Sequence, residues 1–247
     1  MSNRILTVVL EGDSDRLTFE RAFTLLLRDR SPDDSLQVFV FRGDVTINNE
    51  YGEPIDSNNA LQNLMDFLSR KLRTNGLTPK DLLGIIHISD LDAVYCDEEA
   101  VRFANQRHLS YDLAREVVWT RNVAATLRRN ERKRDALTTF MNTKTLEFVF
   151  QERHVVPYRL FYVGINLEHA FYDFMNCSAY EKESLSLDFD DAHARTLADW
   201  IDFVENLPCF GDTYQDSCRY ARMRENAFKR MTNLKFVVAY LDELLSK

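Results

Sequence analysis

Three short apolar runs, each closed by a polar turn, constrain this chain more than any other feature. Ile5–Leu10 (ILTVVL), Leu36–Phe41 (LQVFVF) and Leu82–Ser89 (LLGIIHIS) are continuous, short and rich in β-branched residues, and each reads as a buried strand. Residues 14–29 place Leu17, Phe19, Phe23, Leu26 and Leu27 at helical spacing, and residues 58–74 place Leu61, Leu64, Met65, Leu68 and Leu72 on one helix face. Buried strands joined by such helices imply right-handed crossovers and a parallel sheet. Ligands of such sheets bind at the carboxyl ends of the strands. If the strand order is two-one-three, the ends of the first and third strands lie side by side, about 4.8 Å apart.

Beyond residue 100 the pattern changes. Residues 110–140 have no proline break and read as one long helix or two; Tyr158–Val163 reads as a fourth strand, followed by a helix from near Asn166. The acidic segment 181–191 reads as loop, and residues 191–207 and 218–245 as amphipathic helices. The expected architecture is α/β: a parallel sheet of about four strands flanked by helices. Residues 1–100 form its core, 101–157 a helical insertion with a basic stretch, 158–176 the strand and helix that complete the core, and 177–247 a helical C-terminal region. Seven glycines and five prolines in 247 residues agree with a helix-rich chain. The four cysteines lack CxxC spacing and are expected as reduced thiols. The apolar run before Glu11 is too short for a secretory signal, and no run approaches a membrane span, so the expectation is a soluble, cytoplasmic protein with no membrane partner.

The first strand ends in Leu10-Glu11-Gly12-Asp13-Ser14-Asp15, and the third in Ser89-Asp90-Leu91-Asp92. Either cluster alone is more often a helix cap than a site, and Asp13 or Ser14 suits that role. Capping does not account for Glu11, which precedes the cap position, nor for two acids at 90 and 92. Packed carboxylates repel and raise one another's pKa, a cost that a divalent cation removes. Acids at adjoining strand ends therefore suggest Mg²⁺ or Mn²⁺ acting on a phosphate. Asp44, after the second strand, fits a turn.

The string EGDSD, with Asp15 four residues after Glu11, resembles the first motif of Toprim domains, and ISDLDA resembles their DxD motif, in the same order and strand context. Within that family the chain looks most like the nuclease branch of the overcoming-lysogenization-defect type and related antiphage nucleases. Those carry a further SxE motif after the next strand; here Asn166-Leu167-Glu168 stands in that place, with Asn for the usual Ser. The resemblance covers residues 5–95 and 158–175. It implies Glu11 and Asp90 as catalytic residues, and Glu11, Asp15, Asp90, Asp92 and Glu168 as ligands of Mg²⁺ or Mn²⁺. It implies hydrolysis of phosphodiester bonds in DNA or RNA (tRNA included), a role in phage defence, and activation by a separate ATPase or sensor protein. Homo-oligomers are a further expectation. The chain lacks room for topoisomerase gate domains and lacks the zinc-binding and polymerase regions of a primase.

Two basic stretches stand out against a net charge of −8. One holds Arg121, Arg128, Arg129, Arg132, Lys133 and Arg134; the other includes Arg222, Lys229 and Arg230. Each alone reads as a solvated helix face, but together they suit phosphate contacts flanking an acidic site. His87 reads as a core residue, His169 as a possible neighbour of the site, and Tyr111 as packing. Receiver domains and haloacid-dehalogenase phosphatases place their acids differently, and there is no P-loop motif. The alternative to a nuclease is a non-catalytic Toprim-like module that binds nucleic acid or protein; phosphoryl or nucleotidyl transfer to a small molecule ranks third.

Overall fold

The computed structural model describes residues 4–30, 36–48 and 52–246, without the side chains of Arg4, Asp13, Ser14, Leu17, Asp190 and Asp191. The predicted β-α-β-α-β unit forms β1 (Arg4–Leu10), α1 (Asp13–Arg30), β2 (Leu36–Arg42), α2 (Ala60–Thr74) and β3 (Leu82–Asp90). Then come three short strands, β4 (Val101–Phe103), β5 (Ser110–Asp112) and β6 (Val117–Thr120), and a long helix, α3 (Val123–Asn142). A hairpin of β7 (Thr145–Phe150) and β8 (Glu152–Val163) leads into α4 (Leu167–Tyr172) and α5 (Ala179–His193). The chain continues through α6 (Leu197–Asn206), α7 (Tyr214–Ala221) and α8 (Phe236–Leu245).

The main sheet has the order β2-β1-β3-β8-β7. Its first four strands are parallel, and β7 adds an antiparallel edge, so the sheet is mixed rather than purely parallel. Strand β8 is long enough to serve two partners. Tyr158–Val163 pairs with β3, whereas Glu152–Pro157 pairs only with β7. The hairpin therefore overhangs the amino-terminal end of the parallel strands, away from their carboxyl ends.

Alternate residues of β1 feed two cores, as strand geometry requires. Leu6, Val8 and Leu10 pack on one face with Phe19, Phe23 and Trp200; Val9 packs on the other with Leu64 and Phe140. Gly84 lets α8 lie close on β3, because a Cβ there would come within 2.6 Å of the Leu244 side chain. Among the described residues, no helix is long and apolar enough to cross a membrane.

Several expectations need correction. The insertion at 101–157 is not all helical: its helix begins only at Val123, where Asn122 caps it, and a separate sheet of order β4-β6-β5 precedes it. Strands of three or four residues are too brief for a period-2 pattern to stand out. The acidic segment 181–191 lies within α5, not in a loop. The expected helix at 218–245 is two helices, α7 and α8, separated by a 3-10 turn at Arg224–Asn226 and an extended stretch whose Thr232 bridges to Val163. The cap expected of Asp13 or Ser14 lies outside the described side chains.

Candidate active site

Parallel pairing puts the ends of β1 and β3 side by side, so that Glu11 after β1, Asp15 in the first turn of α1, Asp90 at the end of β3 and Asp92 just beyond it gather in one crevice. The turn after β3 is tied to the end of β8: Leu91 N–H donates to the carbonyls of Val163 and Gly164, and Asp92 N–H to that of Ile165. This brings the start of α4 against the crevice. Asn166 caps α4 by accepting the His169 N–H at 2.9 Å, so the Asn of the NxE string serves the backbone while Glu168 faces Asp15. Asp92 and Ala93 both adopt left-handed backbone angles, φ 50° and 52°. For non-glycine residues this costs on the order of 1–3 kcal/mol each, and tight surroundings must hold it in place.

The acids meet cations from the insertion. Lys133 of α3 is fully buried, with Nζ 3.0 Å from Glu11 Oε2 and 2.7 Å from Asp92 Oδ2. Arg129, one turn earlier, reaches Asp92 Oδ2 at 2.5 Å, and the Tyr111 hydroxyl donates to Asp92 Oδ1 at 3.2 Å. The Ser89 hydroxyl donates to Glu11. Across the crevice, Lys182 of α5 pairs with Glu168 at 3.0 Å. Asp15 accepts the Gly12 N–H at 2.8 Å, which is the acidic half of a capping box, so it too serves the start of α1. Asp90 differs from all of these. Among the described residues, no hydrogen bond or ion pair reaches its carboxylate.

These partners set the proton affinities. Burial would raise Asp92, but Lys133 and Arg129 hold it at about 2. Burial pushes Glu11 up to about 7 against the pull of Lys133, with Asp44 and Asp92 adding to the rise. Asp90 is driven well above the usual carboxylate range by burial and by Asp15, Glu11 and Asp92. Burial and the nearby Glu168 also raise Asp15, despite the Gly12 hydrogen bond. Within the crevice Asp92 thus favours its charged form, Glu11 is poised near neutral pH, and Asp90 and Asp15 are pushed toward their neutral forms.

The expected basic surfaces are redistributed. Lys133 and Arg129 point inward as counter-ions, while Arg121 and Arg128 are exposed and Arg132 and Arg134 half-buried. Arg230 donates to the carbonyls of Ala170 and Phe171 at the end of α4, and Arg222 to the Cys218 carbonyl. Lys229 is exposed and bonds to Asn226. His169 turns toward Asp173, and His87 lies in the core, where its Nδ1 meets the Tyr158 hydroxyl at 2.8 Å. Ser89, Tyr111 and Lys182 were not anticipated as site residues, nor was Lys133 as a buried partner. A signal for Lys133 was present: Thr126, Asn130, Lys133, Leu137 and Phe140 recur at the spacing of a single buried helix stripe.

Among the described residues, no group of three or more His, Cys, Asp or Glu side chains is arranged to hold a metal ion; the ion shared by Glu11 and Asp92 is the Lys133 ammonium. No family model, curated protein or solved structure matches this chain.

Proposed function

We propose that the chain is a Toprim-type, Mg²⁺- or Mn²⁺-dependent nuclease that hydrolyses phosphodiester bonds of DNA or RNA, and that it serves in phage defence with a separate ATPase or sensor protein. The observation that carries this reading is Asp90: a half-buried carboxylate beside Glu11, Asp15 and Asp92, with no hydrogen bond or ion pair of its own among the described residues. Crowding by like charges makes such a group favour a bound proton or a bound cation over the bare carboxylate. The donor set suits a hard cation, because Glu11, Asp15, Asp90, Asp92 and Glu168 offer only carboxylate oxygens. In this reading these residues would hold the ion only after closing around it, because as placed no three of them converge on one point, and the ion would polarise water and the phosphoryl oxygens.

The chain's own groups have distinct work. Glu11, poised at about 7 and oriented by Ser89, is suited to take the proton of an attacking water. Lys133 places a permanent positive charge beside it, suited to the charge that builds on a phosphoryl or leaving oxygen. Arg129 and Tyr111 fix the rotamer of Asp92.

The test is incubation with Mg²⁺ or Mn²⁺ and plasmid, single-stranded DNA, total RNA or tRNA, beside Glu11→Gln and Asp90→Asn. Cleavage by wild type that both substitutions abolish is the expected result; cleavage that survives both removes the site. A second reading, a non-catalytic Toprim-like binding module, is favoured by one observation: Lys133 already satisfies Glu11 and Asp92 without any metal. It predicts no cleavage of any substrate, and no metal binding by calorimetry.

A further inference from the structure

The outer edge of the main sheet is unpaired and unguarded. Tyr158 N–H donates to the Lys144 carbonyl at 2.8 Å, and Thr145 lies opposite Pro157. In an antiparallel pair, residues that bond to the neighbour alternate with residues that do not. Leu146, Phe148 and Phe150 therefore bond to β8, whereas Thr145, Glu147 and Val149 turn their N–H and C=O groups outward. Among the described residues no strand lies beyond β7, and no hydrogen bond reaches these outward groups. Soluble proteins usually blunt such an edge with Pro, Lys, a bulge or an inward charge. Residues 145–150 have no Pro, Lys or bulge, and their one charge, Glu147, is paired with Arg153 at 2.5 Å. The hairpin instead exposes apolar surface: Val149 is 84%, Val155 55% and Phe150 46% accessible.

Beside this edge a groove of about 520 Å³ runs between β7 and α2. The side chains that α2 turns to it include Met65, Asp66, Ser69 and Arg73. Asp66 and Arg73 are two helical turns apart, so they share a face with Ser69 between them. Arg73 is exposed, and among the described residues no hydrogen bond or ion pair reaches its guanidinium. Such a surface is complementary to a copy of itself. A two-fold axis along the sheet normal pairs β7 with β7 antiparallel and brings the two α2 helices face to face on one side of the sheet. Asp66 of each copy then meets Arg73 of the other across Ser69, whose small side chain permits close approach. Only outward-facing residues can pair with one another across the edge, which leaves few registers. An axis at Glu147 sets two glutamates directly opposite, which is destabilising. An axis at Phe148 sets Glu147 against Val149 of the other copy, and Leu146 against Phe150, apolar beside apolar. A foreign strand would satisfy the edge alone; a second copy satisfies edge and helix together.

We propose that the protein is a symmetric dimer, joined edge to edge through β7 and face to face through α2; this does not depend on the nuclease reading. Because the paired strands run in opposite directions, the carboxyl ends of the two sheets face opposite ways, and both crevices stay open. Sedimentation velocity of the full chain over the micromolar range is expected to show a dimer of the 28.9 kDa chain. Val149→Pro removes an outward N–H and no bond to β8, at a place where an edge strand tolerates proline. It is expected to give a monomer whose far-UV circular dichroism matches that of wild type. Asp66→Arg sets arginine against arginine and is expected to weaken dimerisation about ten-fold or more, and Asp66→Arg/Arg73→Asp to restore it. Hydrogen exchange read by mass spectrometry adds a local measure. Residues 145–150 are expected to exchange more slowly as wild-type concentration rises, and Val149→Pro to lose that dependence. Monomeric wild type throughout overturns the proposal and leaves the edge to a foreign strand. A dimer undiminished by either substitution, or a charge swap that fails to restore it, overturns it as well.

Discussion

The two halves of the carboxylate crevice solve the same electrostatic problem differently. In the half next to α3, Glu11 and Asp92 share a buried lysine, and an arginine and a tyrosine complete the set. In the half next to α4, Asp15 has only a backbone N–H, Glu168 has a partly exposed lysine, and Asp90 has neither hydrogen bond nor ion pair among the described residues. One half is neutralised by the protein's own cations; in the other, Asp90 and Asp15 are pushed toward their proton-bound forms, so an added cation would compete with protons there. An acidic cluster is therefore not a uniform cation trap, and its under-compensated side is where an added ion gains most.

The largest way to break this contrast is Lys133→Met. It leaves Glu11 and Asp92 buried without their shared ammonium, and loss of one partner from a buried ion pair costs about 3–5 kcal/mol. Urea titration should show that loss in EDTA, and millimolar Mg²⁺ should restore part of it; no loss would mean that the paired half is not paired. A smaller effect of opposite signs should follow from two isosteric changes. Asp92→Asn removes a carboxylate held at about 2 by its cations and should destabilise by about 1–3 kcal/mol. Asp90→Asn removes a carboxylate whose charge is disfavoured and should leave stability unchanged or raised by about 1 kcal/mol at pH 8. If both lower the melting temperature alike, the two halves are equivalent.

The paired half should also report on pH through His87, which burial and Lys133 hold at about 3. Its proton affinity is lower in the folded chain than in the unfolded one, so its stabilising contribution is complete above about 6.5 and shrinks as pH falls toward 3. The slope is at most about 1.4 kcal/mol per pH unit. Comparing urea midpoints at pH 7 and pH 5 for wild type and His87→Gln isolates it, and the variant should lose less over that interval. The smallest effect is expected for Lys182→Ala. Its pair with Glu168 is partly open to solvent, so about 0.5–1 kcal/mol should be lost, seen as a small shift of the thermal midpoint.

What could be read from the sequence follows the length of each pattern. The runs ending at Leu10, Phe41 and Ser89 are continuous enough to give β1, β2 and β3 within a residue or two, and the parallel sheet follows from the helices between them. The hairpin of β7 and β8 escaped because the alternation of Thr145–Phe148 is only four residues long and is blurred by the apolar but exposed Val149 and Phe150. α5 escaped because its charge resembles that of a loop, although Phe189 is buried beneath it. Within the site, the acids announce themselves by proximity along the chain, eleven to fifteen and ninety to ninety-two. Their cations do not. Lys133 lies more than forty residues from Asp92 and 122 from Glu11 in a run of arginines that looks solvated, and only tertiary packing separates it from its neighbours.

Lys133 also bears on modularity. The α/β unit obtains its central counter-ion from the insertion, across a contact formed only when both are folded. Excising residues 101–157, or grafting them onto another scaffold, would separate halves of one electrostatic unit. Trimming the chain at the apparent boundary near residue 100 is thus the wrong way to obtain a minimal version; α3 belongs to the machinery as fully as the strands do.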